Sequence, residues 1–236
     1  MFHTLLEDAV DIPETVEIGG GERPDGTVIW LHGLGGDGHG WEPIVAELKL
    51  DQYADIRFVF PHAPVRPVTI NGGMSMRAWY DVISLDRDGL QDEVGIRDSA
   101  ATLKRLVERE HDRGIDYDRI VLTGFSQGGA IAIHTAIRFP ERLAGLMALS
   151  TWIPLESTID AEVIQISESQ PRDLPVLIAH GSFDTVLPII AGQHARDLMR
   201  KMGFEVQWHD YPMAHDICTK EIAEIRKWLL NIFSHC

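Results

Sequence analysis

Ile120-Val121-Leu122-Thr123-Gly124-Phe125-Ser126-Gln127-Gly128-Gly129-Ala130-Ile131-Ala132-Ile133 joins an apolar β-type run to an apolar helical run through one tight turn. Strand, sharp turn, helix is the setting that a G-x-S-x-G nucleophile elbow requires. A serine at the tip of such a turn has a strained backbone and a hydroxyl pushed out of the sheet. Glycine two positions to either side lets the neighbouring backbone pass close to it. The helix that starts there aims unpaired N–H groups at any negative charge developing beside the serine.

Other strand candidates surround this one: Thr27–Leu31, Ile56–Phe60, Leu146–Leu149, Val176–Ala179 and Val206–Trp208. Several are continuous apolar runs, as expected for strands buried on both faces of a parallel sheet. Between them Ile96, Ala100, Leu103 and Val107 recur at helical spacing, as do Ile222, Ile225, Trp228/Leu229 and Ile232. The alternation predicts an α/β sandwich, in which working residues gather beyond the carboxyl ends of the strands.

Two of those strand exits complete a pattern. Asp184 follows Val176–Ala179, ahead of a helix that Pro188 can open, and His215 follows Val206–Trp208. Ser126, Asp184 and His215 therefore run in the chain order Ser…Asp…His of α/β-hydrolases. An alcohol is a poor nucleophile at neutral pH, so His215 would take the Ser126 proton, while Asp184 would hold the imidazole tautomer. Each has a structural alternative: Asp184 as an Asx-turn or helix cap, and His209 as a competing imidazole. His209 lies within a strand pattern, and His194 reads as a surface helix residue. Agreement of three signals in order and location favours the triad.

The glycine-rich stretch His32-Gly33-Leu34-Gly35-Gly36-Asp37-Gly38-His39-Gly40 follows the first strong strand. Its backbone N–H groups, with that of Gln127, suit an oxyanion hole. Gly33, Gly35 and Gly38 also have G-x-G-x-x-G spacing, but no acidic residue closes the second strand, which ends Phe60-Pro61-His62-Ala63. A dinucleotide site is thereby disfavoured, and no cofactor is expected. His32, His39 and His62 lack metal-ligand spacing, so no metal is expected, and His32 reads as a residue shaping the loop.

Composition bounds the rest. At 236 residues and 44% hydrophobic, the chain suits one large domain over 1–236, with residues 1–25 an N-terminal extension or edge strands. No apolar run approaches the ~18 residues of a membrane span, and the acidic start (Glu7, Asp8, Asp11) does not resemble a signal peptide. Only two cysteines occur, Cys218 and Cys236, consistent with a reducing, cytoplasmic setting. A formal net charge of −15 opposes nucleic acid and anionic membranes as partners.

Leu31-His32-Gly33-Leu34-Gly35, Pro61-His62-Ala63-Pro64-Val65-Arg66-Pro67-Val68-Thr69, Ala78-Trp79-Tyr80-Asp81 and Gly124–Ala130 together resemble the phospholipase/carboxylesterase family. That family contains small bacterial carboxylesterases and acyl-protein thioesterases. The similarity runs from about Val28 to the final helix, and Asn71–Arg77 looks more like the bacterial branch. The resemblance implies a lidless α/β-hydrolase with no cofactor, Ser126, Asp184 and His215 as triad, and Leu34 and Gln127 as oxyanion donors. It further implies Trp152 and Val186 on an acyl-pocket wall, beside a flap from about Val65 to Trp79. Ile70 on that flap, and Trp79 at its end, join the expected substrate-binding set, although core packing suits Trp79 equally. The expected activity is hydrolysis of short- to medium-chain carboxylic esters through an acyl-enzyme. The alternatives are an acyl-protein thioesterase or lysophospholipase, and a non-catalytic binding module. The expected partner is a small ester or thioester; a homodimer is allowed by the family.

Overall fold

Along the strand Gly26–Leu31 (β2), successive side chains enter opposite apolar clusters: Val28 and Trp30 on one side, Ile29 and Leu31 on the other. A strand apolar on both faces needs a helical layer over each, and the chain supplies both. The computed structural model describes residues 12–85, 89–159 and 173–234; the acidic N-terminal residues and Cys236 lie outside them.

The main sheet has seven strands in the order β1-β3-β2-β6-β7-β8-β9. These are β1 (Thr15–Gly19), β2, β3 (Ile56–Pro61), β6 (Ile120–Phe125), β7 (Gly145–Leu149), β8 (Val176–Gly181) and β9 (Val206–Tyr211). All neighbours pair in parallel except β1, which runs antiparallel to β3 at one edge. A separate hairpin, β4 (Val65–Val68) with β5 (Met74–Arg77), occupies the expected flap.

Five helices cover the sheet among the described residues. Over one face lie α2 (Glu93–Asp112), α3 (Gln127–Ala136) and α4 (Ile189–Lys201), whose Ile96, Leu103, Ile131 and Met199 join the larger cluster. Over the other lie α1 (Glu42–Leu48) and α5 (Thr219–Ser234), which bury Ile44, Leu48, Ile225 and Trp228. Pro188 stands at the N-cap of α4, and Cys218 is a free, half-buried thiol just ahead of α5. No described helix is long and apolar enough to cross a membrane.

β6 is the central strand, three from either edge. Its exit therefore lies deep between both helical layers, with the exits of β2 and β7 on its flanks.

Candidate active site

At the exit of β6 the backbone of Ser126 has φ 54° and ψ −121°, a conformation that L side chains rarely adopt and that costs about 1–3 kcal/mol. Tertiary bonds hold it there. The Ser126 N–H donates to the Leu149 carbonyl (2.9 Å), and its carbonyl accepts from Thr151 Oγ1 (2.7 Å) and the Ala130 N–H (3.1 Å). The flanking glycines are sterically obligatory. A Cβ on Gly124 would sit 2.3 Å from the Gly128 carbonyl carbon, and one on Gly128 would sit 2.4 Å from the Leu31 oxygen. Thr151 was not singled out in the sequence, though its place just past β7 marks it as a post-strand residue.

The exits of β8 and β9 bring two further candidates together. His215 Nδ1 lies 2.6 Å from Asp184 Oδ2, and the Asp184 side chain is wholly buried. The other carboxylate oxygen, Oδ1, accepts from the backbone N–H of Val186 (2.9 Å) and of Leu187 (2.8 Å). The acid is thus oriented by its own turn, as an Asx-turn and a histidine partner at once. Buried His180 supports that turn by donating from Nε2 to the Leu187 carbonyl (2.8 Å), and burial pushes its pKa down. The His215 ring packs 4.8 Å from that of Phe125, the residue before Ser126. His209, by contrast, lies within β9 and stacks on Tyr211 (6.3 Å).

The loop after β2 packs against the elbow: a Cβ on Gly33 would lie 3.4 Å from Ser126 Cβ. The backbone N–H groups of Leu34 and Gln127 have no acceptor among the described residues, Gln127 being the first residue of α3. His32 holds the loop as a neutral imidazole, since burial depresses its pKa to about 4. Its Nε2 accepts from the Ala63 N–H (3.0 Å), which leaves Nδ1 to donate to the Gly33 carbonyl (2.7 Å). His62 Nδ1 accepts from the Gly38 N–H (3.1 Å). Among the described residues no group of three or more His, Cys, Asp or Glu side chains could hold a metal ion.

On the α2/α4 side of the elbow lies a cavity of about 250 Å³, lined mainly by Tyr80, Val82, Trp152, Ile153, Leu187 and Ile190. Trp152 alone of the four side chains expected against substrate lines it. Val186 is half exposed and contributes its N–H to Asp184 instead. Ile70 is 41% exposed at the tip of the β4–β5 hairpin. Trp79 is 1% exposed and faces the β2 loop, its ring 5.2 Å from that of His32. His194, read from sequence as a surface residue, lines the cavity and bonds to Glu156 through Nε2 (2.8 Å). Glu156 had no sequence signal, and His194 had none beyond helical periodicity in α4.

The family model for phospholipase/carboxylesterase matches residues 14–232. The chain belongs to the phospholipase/carboxylesterase family. It is 37% identical over 227 residues to acyl-protein thioesterase 1 of Cryptococcus neoformans, covering 89% of this chain and 93% of that one. It is 39% identical over 214 residues to acyl-protein thioesterase 1 of Neurospora crassa, covering 88% and 86%. The crystal structure of Zea mays acyl-protein thioesterase 2 superposes with a TM-score of 0.82 at 29% identity, covering 94% of this chain and 99% of that one. Arabidopsis thaliana SOBER1 gives 0.81 at 29%, covering 88% and 98%. The protein is a hydrolase with the α/β-hydrolase fold and no large lid among the described residues. These relatives favour the thioesterase alternative over the bacterial carboxylesterase branch. The Bacillus cereus carboxylesterase structure, at 18% identity, shares the fold.

Proposed function

We propose that the chain is a serine thioesterase that removes medium-length acyl groups from protein cysteines, with hydrolysis of simple carboxylic esters at the same site. The observation that carries this reading is the 2.6 Å His215–Asp184 pair beside the left-handed Ser126. His215 Nε2 takes the Ser126 proton as Oγ attacks the acyl carbonyl, and Asp184 stabilises the imidazolium. The N–H groups of Leu34 and Gln127 receive the oxyanion, assisted by the N-terminus of α3. The leaving thiol departs with the proton from His215. Water, deprotonated by the same imidazole, then releases the carboxylic acid and restores Ser126.

The acyl chain lies in the cavity beside Trp152, of about 250 Å³ and with Val82, Ile153, Leu187 and Ile190 in its lining. A bounded apolar cavity of this kind supports medium-length chains, each buried methylene contributing ~0.8 kcal/mol until the wall ends. The thioester preference is supported by the names of the relatives at 37–39% identity.

The test is a matched pair of peptides, one S-octanoylated on cysteine and one O-octanoylated on serine. Faster turnover of the thioester, after allowance for its intrinsic reactivity, and labelling of Ser126 by a fluorophosphonate are expected. A clear preference for the oxygen ester would return the assignment to carboxylesterase. Failure to label would indicate a binding module.

A further inference from the structure

The two N–H groups assigned to the oxyanion belong to segments that the sheet does not join. The β2–β6 ladder ends at the pair Leu31↔Gly124, so residues 32–34 extend beyond it while Gln127 already lies in α3. Some other contact must set the spacing between them, because such donors act only when held 2.7–3.1 Å from the developing charge.

One residue bridges the two segments. The Trp79 indole Nε1–H donates to the His32 carbonyl (2.9 Å), two residues before Leu34. The backbone N–H of the same tryptophan donates to Gln127 Oε1 (2.8 Å), and Gln127 Nε2 donates on to the Tyr80 carbonyl (2.8 Å). These two bonds fix which end of the Gln127 amide is oxygen. The third polar group of Trp79, its carbonyl, accepts from Ser99 Oγ on α2. With 1% exposure and every polar atom engaged, Trp79 has no freedom to drift from this position. A phenylalanine would keep an aromatic ring at this site but lack the indole nitrogen, and that nitrogen is what reaches the loop.

We infer that Trp79 is a positioning residue of the oxyanion hole, a strut that couples the Leu34 donor to the Gln127 donor through the Gln127 side chain. The inference rests on the serine-hydrolase reading above and assigns Gln127 two separate duties: its backbone N–H binds the oxyanion, and its amide holds the strut. Substrate binding is not part of the duty, since Trp79 does not line the acyl cavity.

The test uses Trp79→Phe, which keeps an aromatic ring over His32 and removes the N–H, and Gln127→Met, which keeps the backbone donor and removes the clamp. Losing a whole donor lowers the rate ~10²–10³-fold, so loosening one should lower kcat by about tenfold in either variant. KM for p-nitrophenyl octanoate should stay within about twofold, because KM reports uniform binding. Affinity for octylboronic acid, which forms the tetrahedral adduct, should fall by the same factor as kcat/KM. The double variant should lose little more than the worse single one, because both break one linkage. Unchanged boronate affinity, or a double loss equal to the product of the singles, overturns the inference. Should Trp79→Phe fail to fold, Gln127→Met alone decides it by the kcat and boronate readouts. A Ser126→Ala enzyme that still turns over would instead overturn the underlying reading, and this inference with it.

Discussion

Replacing Asp184 by asparagine changes one oxygen to NH₂, and the structure dictates which one. Oδ1 accepts from two backbone N–H groups, at 2.9 and 2.8 Å from Val186 and Leu187. An NH₂ placed there would face two donors and leave both backbone N–H groups without an acceptor, so the amide oxygen must keep that side. The NH₂ then faces His215 Nδ1, now as a donor where the carboxylate was an acceptor. The imidazole must accept at Nδ1 and carry its proton on Nε2, the nitrogen that in the proposed mechanism receives the Ser126 proton. Asp184→Asn should therefore lower kcat by ~10⁴, while the turn keeps both backbone bonds and Tm shifts only a few degrees. Asp184→Ala should lower activity comparably and also free two buried N–H groups. At about 1.5 kcal/mol for each charge-assisted bond, some 3 kcal/mol is lost, or roughly 6–12 °C in Tm at 2–4 °C per kcal/mol. Steady-state hydrolysis of p-nitrophenyl octanoate with calorimetry on the three proteins measures both quantities. An asparagine variant within tenfold of wild type would refute the tautomer argument. Equal Tm losses for both variants would refute the turn's orienting role.

Three further outcomes are expected. Ser126→Gly should abolish turnover and fluorophosphonate labelling yet raise stability by about 1 kcal/mol, because glycine accepts the φ of 54° without strain; a lower Tm than Ser126→Ala contradicts this. Burial raises the pKa of Glu221 to about 8 from an ordinary 4.5, so the folded chain retains a proton that the unfolded chain releases, and stability falls as pH climbs from about 5 to 8. Glu221→Gln should flatten that fall, seen as a Tm difference from wild type that grows across this range; a constant difference refutes it. Across acyl chain length, kcat/KM should rise by up to about fourfold per methylene (~0.8 kcal/mol each) to about eight carbons and then level off, and a continued rise through sixteen would mean that the acyl group lies elsewhere.

The strand cores were legible because burial on two faces writes itself as unbroken apolar runs, and all six expected strands are present. Each observed strand includes its expected run, and four end past it, by one to three residues. β1 and the β4–β5 hairpin lack that signature. Thr15–Gly19 is a partly exposed edge, and Val65–Arg77 carries Pro67 and a Gly72-Gly73 turn with most of its side chains exposed or half-buried. That Ser126, Asp184 and His215 would stand at strand exits could be read from chain order, and the structure places each just past a strand. Which side chains line the neighbouring cavity could not be read. Trp79 illustrates the reason: its identity suits a pocket wall or a core equally, and only the backbone's direction after β5 decides that it faces the His32 loop. Likewise His194 turns toward the cavity because of the rotational setting of α4, which a single pattern of apolar spacing leaves open.

β9 is the outermost strand on its side, bonded to β8 alone, yet the segment it delivers carries His215. Ser126, by contrast, follows the middle strand. An edge strand opens at a smaller free-energy cost than a central one, so this architecture separates catalytic failure from collapse. Under heat or denaturant the imidazole can leave its carboxylate while the central strands remain folded, so with His215 as the proposed base the enzyme should fall silent before it unfolds. On that reading, durability of activity follows the β8–β9 seam rather than the strength of the core. A cross-link along that seam would extend working life more than any improvement in packing around Trp30.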